Sequence, residues 1–273
     1  MKKIGSFFRG AYLGIVLFFM YMPILVMMTM AFTDSRSASR WNGFSLGAFR
    51  ELFEDSDVKD ALIVTLIVAV ISAVCSTVIG TATAIGLHSM KKRPRSFVET
   101  ITQIPMTNPD LVTGISMMLL FSTIGISQQH GILRLIIAHI TFNLPYVIFS
   151  VMPKLRQSSD MLYEAALDLG CRPIEALWKV VIPDIMPGIV SGALLAFTLS
   201  LDDFVISYFT GGSANNLSML IYSRTKRGVG TEFCALSLIM FAVVGILLLV
   251  INLRSIRQEK EAAAQNKKVM RKS

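Results

Sequence analysis

Long uncharged runs alternate with short polar connections along the chain. The runs occupy 11–32, 61–87, 97–126, 132–152, 188–210 and 233–253. A helix rises 1.5 Å per residue and needs about 20 apolar residues to cross a hydrocarbon core of about 30 Å. The pattern therefore predicts an all-α membrane protein with six transmembrane helices, a single transmembrane domain over 1–273 with a polar connection at 153–187 inside it. Lys2, Lys3 and Arg9 precede the first run, as basic residues precede a signal peptide. Its 22 residues exceed the usual signal core and Thr29-Met30-Ala31 is a poor cleavage site, so the run is expected to be retained. In the second run Ser72, Ser76, Gly80 and Ala84 recur every four residues, a stripe that lets another helix approach closely. The third is interrupted by Pro105, Asn108, Pro109 and Asp110 and is expected to be bent or broken there. Broken backbone at membrane depth is tolerated only inside protein or against a water-filled cavity, which makes this region a pathway candidate.

The connections carry their own signals. Trp41, Phe44, Phe49, Leu52 and Phe53 are scattered through 33–60, so part of this external segment is expected to lie as a short interfacial helix. The segment 211–231 reads as an external loop, and the tail from Arg254 as frayed helix or disorder. Within 153–187 the pattern is two short helices with a sharp turn. Ser158, Ser159 and Asp160 offer caps to a first helix, and Gly170 suits the left-handed residue that ends it. Pro173 suits the first position of a second helix and Pro183 is expected to stop it. Met161, Ala165 and Leu169, with Leu162 and Ala166, form an apolar face that is only methyl-deep at its centre.

Glu164-Ala165-Ala166, three residues, Gly170, nine residues, then Val180, Ile182 and Pro183 resembles the EAA loop of ABC importer permeases. The resemblance implies a type I ABC importer permease fold in which this loop forms the cytoplasmic EAA coupling helices that dock on an ATPase subunit. The residues it assigns to ATPase coupling are Glu164, Ala165, Ala166, Gly170 and Pro183.

Composition agrees with the membrane class: of 273 residues 53% are hydrophobic and 16% charged, with a mean hydropathy of +0.60. The net charge of +8 suggests nucleic acid only until its placement is examined, because the basic residues cluster beside the apolar runs. With both termini and 153–187 on the cytoplasmic side, Lys plus Arg number 18 inside and 7 outside, the asymmetry that orients membrane proteins. Cys75, Cys171 and Cys234 are too dispersed for a disulfide framework or a zinc site.

Asp110, Asp202 and Asp203 stand inside or at the ends of apolar runs, where a carboxylate facing lipid costs several kcal/mol. They are candidates for a polar pathway, joined by Phe204 and Tyr208 as aromatic faces for a cation. Ser200, Asp203 and Ser207 share one helix face, and Leu195, Thr198 and Asp202 the neighbouring one. The alternative is that one Asp pairs with Arg134 or caps a helix end. His139 reads as a packed histidine rather than a ligand, and no metal-ligating spacing occurs. No G-x-x-x-x-G-K-[ST] is present, so the chain is read as a non-enzyme transport subunit whose ATP is hydrolysed elsewhere.

Asn108-Pro109-Asp110-Leu111-Val112-Thr113-Gly114, Ala138-His139-Ile140-Thr141-Phe142 and the stretch from Ala196 to Val205 are similar to the PotC-type permeases of spermidine/putrescine importers. Two departures are the basic stretch Arg224-Thr225-Lys226-Arg227 and Asn143, where relatives often carry Cys. That resemblance implies half of a polyamine pathway worked by alternating access in a bacterial inner membrane. It also implies a homologous second permease (PotB type), an ATPase dimer (PotA type) holding ATP and Mg, and an extracytoplasmic polyamine-binding protein (PotD type). Read without it, the residues leave open an ion-coupled secondary transporter of organic cations and a non-transporting scaffold.

Overall fold

The computed structural model describes residues 2–246 apart from 36, 37, 39, 158, 159, 227, 229 and 244, with backbone alone for 2–11 and 160–162. The expected caps Ser158 and Ser159, the side chains of Met161 and Leu162, the end of the sixth run (247–253) and the tail lie outside the described residues. The regular secondary structure among the described residues is helical, with an isolated bridge between Thr33 and Phe44. Among the described residues, four helices are long and apolar enough to cross a membrane: Tyr12–Met30, Ser56–His88, Gln128–Gln157 and Pro173–Asp202. Two shorter apolar helices, Asp110–Ile124 and Thr231–Val243, fall on the third and sixth expected runs.

Two compact units are present, 57–223 and the segments flanking it. The flanking unit holds α1 (Lys2–Met30), α2 (Gly47–Glu54) and α12 (Thr231–Val243). α2 is the short helix expected from the aromatic-studded segment, and buries Ala48 and Leu52. Phe32 packs its ring on Phe44 and Phe49, at 5.6 and 5.3 Å between centroids. Asp55 takes two hydrogen bonds from the guanidinium of Arg224.

In the unit 57–223, α3 (Ser56–His88) is followed by α4 (Lys92–Thr107) and α5 (Asp110–Ile124), which are separated by extended Asn108 and Pro109. The break therefore falls where the prolines placed it, and the apolar part of the third run is confined to α5. α6 (Gly131–Gln157) packs chiefly along α9 (Ile182–Asp202), and α5 along α10 (Val205–Thr210). The small-residue stripe of α3 is buried at all four positions. A Cβ on Gly80 would stand 2.7 Å from Cγ1 of Val147, so only glycine allows α3 this close to α6. At Gly192 on α9 a Cβ would lie 3.3 Å from the Val147 Cα, a tight approach that the neighbouring helix would have to accommodate. Around these contacts Ala84, Val147, Val151, Ile185 and Ala196 form a fully enclosed core.

Two expectations about helix ends need correcting. Pro183 does not stop the second helix of the 153–187 connection. α8 (Pro173–Ala176) runs through a π turn at Leu177–Val181 into α9, giving one helix from Pro173 to Asp202. In that turn the N–H of Ile182 reaches back to the Leu177 carbonyl. The extra residue loosens the ladder just before a proline that lacks the N–H and would otherwise crowd the preceding turn. The fifth run, in turn, is not continuous over 188–210. α9 ends at Asp202, Asp203 is extended, and α10 starts anew at Val205. The supposed loop 211–231 also contains a nine-residue helix, α11 (Leu217–Thr225).

Candidate functional site

The break between α9 and α10 is held by side chains rather than by a proline or glycine. Asp203 accepts the backbone N–H of Ile206 on Oδ1 (3.2 Å) and those of the Ser207 N–H (2.8 Å) and hydroxyl (2.9 Å) on Oδ2. It thus supplies the acceptors that the first turn of α10 would otherwise lack. Ser207 Oγ in turn accepts Asn216 Nδ2 at 2.7 Å and lies 3.0 Å from His139 Nε2. A hydroxyl has one proton, and here it goes to the acceptor-only carboxylate, so His139 must donate through Nε2–H. Nδ1 of His139 keeps no hydrogen-bond partner. His139 and Ser207 are wholly buried, Asn216 is 2% exposed and the Asp203 side chain 6%. One turn away a second layer repeats the device: Asn143 Nδ2 donates to Ser200 Oγ (2.7 Å), which lies 3.0 Å from Ser72 Oγ on α3.

The face carrying Ser200, Asp203 and Ser207 is therefore turned into the bundle, against α6. The neighbouring face is the open one: Leu195 and Asp202 are exposed. Asp110, the first residue of α5, is exposed as well, and neither it nor Asp202 has an ion pair or hydrogen bond to another described side chain. Arg134 does not pair with any of the three carboxylates; it lies over the ring of Phe121. Of the two bland readings of these acids, helix capping describes Asp203.

Beside the break, Phe204 stands 5.5 Å from Tyr208 and 4.3 Å from Tyr222 between ring centroids, with 6.2 Å between the two tyrosines. Tyr208 and Tyr222 are about half exposed. Tyr222 is not among the candidates drawn from the sequence, where 211–231 reads as loop. The available signal was Asn216, whose Oδ1 caps α11 by accepting the Met219 N–H at 2.9 Å.

The 153–187 elbow forms as its residues dictate. α7 (Asp160–Asp168) ends at Gly170, whose φ of +87° is the left-handed conformation glycine adopts without a Cβ clash. The N–H groups of Gly170 and Cys171 close back on Leu167 and Ala166 at 2.9 and 3.1 Å, satisfying the last carbonyls. Arg172 is extended and Pro173 opens α8. Ala166 turns inward, whereas Glu164, Ala165, Gly170 and Pro183 are exposed. So are Leu169 at 86%, Ile174 at 71% and Trp178 at 65%. Apolar side chains this open, next to a small-residue surface, mark a face suited to a protein partner.

Near the start of the same elbow, α4 and α6 are joined by charge. Glu99 accepts Arg95 Nε at 2.9 Å and Arg156 Nη2 at 3.0 Å. The Arg95 guanidinium, and after it Arg156, hold the Glu99 carboxyl below the usual range against the opposing effect of burial.

Comparison with known proteins follows the same lines. Residues 76–257 match the model of the family described as binding-protein-dependent transport system inner membrane component. The chain is 36% identical over 247 residues to the spermidine/putrescine transport system permease protein PotC of Haemophilus influenzae, covering 90% of this chain and 95% of that protein. It is 36% identical over 235 residues to the putrescine transport system permease protein PotI of Escherichia coli, covering 84% and 83%. A chain from the crystal structure of a bacterial ABC transporter that imports the acidic polysaccharide alginate superposes with a TM-score of 0.74 at 17% identity, over 92% of this chain and 96% of that one. A second alginate transporter structure, with its pentasaccharide-bound periplasmic protein, gives 0.69 at 18% identity, over 94% and 96%.

Proposed function

The chain belongs to the family of binding-protein-dependent transport system inner membrane components, and from that membership we propose that it forms half of the translocation pathway of an ATP-driven polyamine importer. The observation that carries the substrate class is the exposed carboxylate of Asp202 followed at once by the Phe204, Tyr208 and Tyr222 rings. Aromatic faces and a carboxylate attract alkylammonium groups, each ring by about 0.5–2 kcal/mol. Similarity to spermidine and putrescine permeases supports the same reading. Asp202 and Asp110 line the path, and Asp203 fixes the kink that presents Asp202, Phe204 and Tyr208.

Glu164, Ala165, Ala166, Gly170 and Pro183 form the coupling elbow, with Leu169, Ile174 and Trp178 as its docking side chains. An ATPase dimer holding ATP and Mg engages this face in the cytoplasm, where both termini also lie. A second permease completes the pathway and an external polyamine-binding protein delivers the substrate. ATP-driven closure of the ATPases moves the elbow, opens the path outward, and release of ADP reverses it.

The test is gentle purification of the tagged chain from its native membrane, followed by assay of ATP hydrolysis with and without spermidine-loaded binding protein. An ATPase and a second permease should co-purify and hydrolysis should rise with the loaded binding protein. Recovery of the chain alone, with uptake that survives ATP depletion and dies with an uncoupler, would instead establish the ion-coupled transporter.

A further inference from the structure

α5 ends at Gly125, and the chain returns through a 3-10 turn at Gln128–His130 into α6. Between the last turns of α5 and the start of α6 lies a cavity of about 390 Å³. Arg134, Ser122, Ser127 and Gln128 line its polar part, and Leu119 and Ile126 its apolar part. Arg134 is 3% exposed, yet its Nε has no hydrogen-bond partner and no carboxylate among the described residues is paired with it. Its one close neighbour of note is the Phe121 ring, 5.3 Å from Cζ to centroid, which covers a face of the guanidinium and leaves its donor edge unspent.

A guanidinium keeps its charge, because arginine does not deprotonate in proteins. A buried charge beside a membrane span is tolerated when an anion and its hydrogen bonds accompany it. The planar fork of donors suits a phosphate better than a point cation would. The rest of the surroundings selects the kind of phosphate. Met118, Leu119 and Ile126 line the same opening, with Leu119 well exposed, and apolar side chains there accept acyl chains rather than the hydration shell of a free ion. We propose that this cavity binds the phosphate of one anionic phospholipid, with Arg134 as the anion-holding residue and Met118, Leu119 and Ile126 against its acyl chains. The cavity is within the size range of small-ligand sites, about 300–1,000 Å³.

The full-length protein, in its assembled complex where one forms, is reconstituted in nanodiscs of phosphatidylcholine with increasing phosphatidylglycerol. Retained lipid is counted by native mass spectrometry and the unfolding temperature is followed. One phosphatidylglycerol should be retained, with a rise in unfolding temperature that saturates. In Arg134→Gln its retention should weaken about tenfold or more, the loss expected for charge-assisted hydrogen bonds. Because Arg134 is buried, Ser122→Phe provides a second arm: from an exposed position it fills the cavity and should expel the lipid while leaving Arg134 in place. Equal phosphatidylglycerol retention in wild type and both variants would overturn the proposal. So would saturation of the same effect by inorganic phosphate in phosphatidylcholine alone, which would make the ligand a free anion. A complex that retains no phosphatidylglycerol because a partner's acidic side chain cross-links at Arg134 would overturn it in favour of a protein contact.

Discussion

Asp202 and Asp203 are adjacent carboxylates with opposite predicted roles, and exchanging each for its amide separates them. In Asp203→Asn the side-chain oxygen can keep the two Ser207 donors, but the amide nitrogen then faces the N–H of Ile206, now 3.2 Å from Oδ1. One buried donor left without an acceptor costs about 1–3 kcal/mol. Asp203→Ala strands both backbone N–H groups, for about 2–6 kcal/mol, while the Ser207 hydroxyl can turn elsewhere. Asp202, exposed and unbonded, should give no comparable loss when changed to Asn. Unfolding of the purified protein in one detergent, followed through tryptophan fluorescence, reads the stability, and spermidine uptake in reconstituted vesicles reads the function. Asp203→Asn should lower the unfolding temperature and Asp203→Ala lower it further. Asp202→Asn should unfold as wild type yet raise the KM for uptake. If Asp203→Asn unfolds as wild type, or if Asp202→Asn is the destabilised one, the capping network is not what holds the break.

Four further outcomes follow from other positions. Gly170→Val forces a β-branched residue to φ near +87°, costing about 1–2 kcal/mol or more. It should abolish uptake and stimulated ATP hydrolysis while immunoblots show normal membrane levels. Gly80→Ala places a methyl 2.7 Å from Val147 and should destabilise by about 1–3 kcal/mol. Part of that loss should return in the double variant with Val147→Ala, measured as a coupling in thermal unfolding. Tyr222→Leu removes one face of the three-ring cluster and should raise the KM for polyamine by about two- to thirtyfold with little change in kcat. Glu99 has its folded pKa depressed, chiefly by Arg95, so its contribution is complete above the ordinary glutamate range and is lost as pH falls through the lower, folded value. A stability-versus-pH curve should show this acid limb in wild type and lose it in Glu99→Gln.

What the chain reveals by inspection depends on whether local chemistry is sufficient. The break at Asn108 and Pro109 and the turn at Gly170 were legible, because proline and glycine impose their own backbone. So was the stripe from Ser72 to Ala84, since small residues at fourfold spacing mean close approach whichever neighbour arrives. The break at Asp203 was not legible: nothing in Leu201-Asp202-Asp203-Phe204 forbids helix, and its stabilisers, His139 and Asn216, come from distant segments. Spacing placed Ser200, Asp203 and Ser207 on one face but could not say that this face is the inner one. Pro183 misled because its usual effect on a helix is absorbed by the π turn before it. α11 escaped because nine mixed residues carry too little periodicity to stand out from a loop.

The uninterrupted helix from Pro173 to Asp202 has a mechanical consequence. Its 30 residues make a rod about 45 Å long whose one end belongs to the elbow and whose other end carries Asp202. A tilt of about 10° about the elbow end would sweep the far end through about 8 Å on that length. A stiff rod transmits such a swing without attenuation, so stroke is set by geometry rather than by a chain of rearranging contacts. The π turn at Leu177–Val181 lies near the elbow end, so any bending there acts over nearly the whole length of the rod and takes the most from the swing at Asp202.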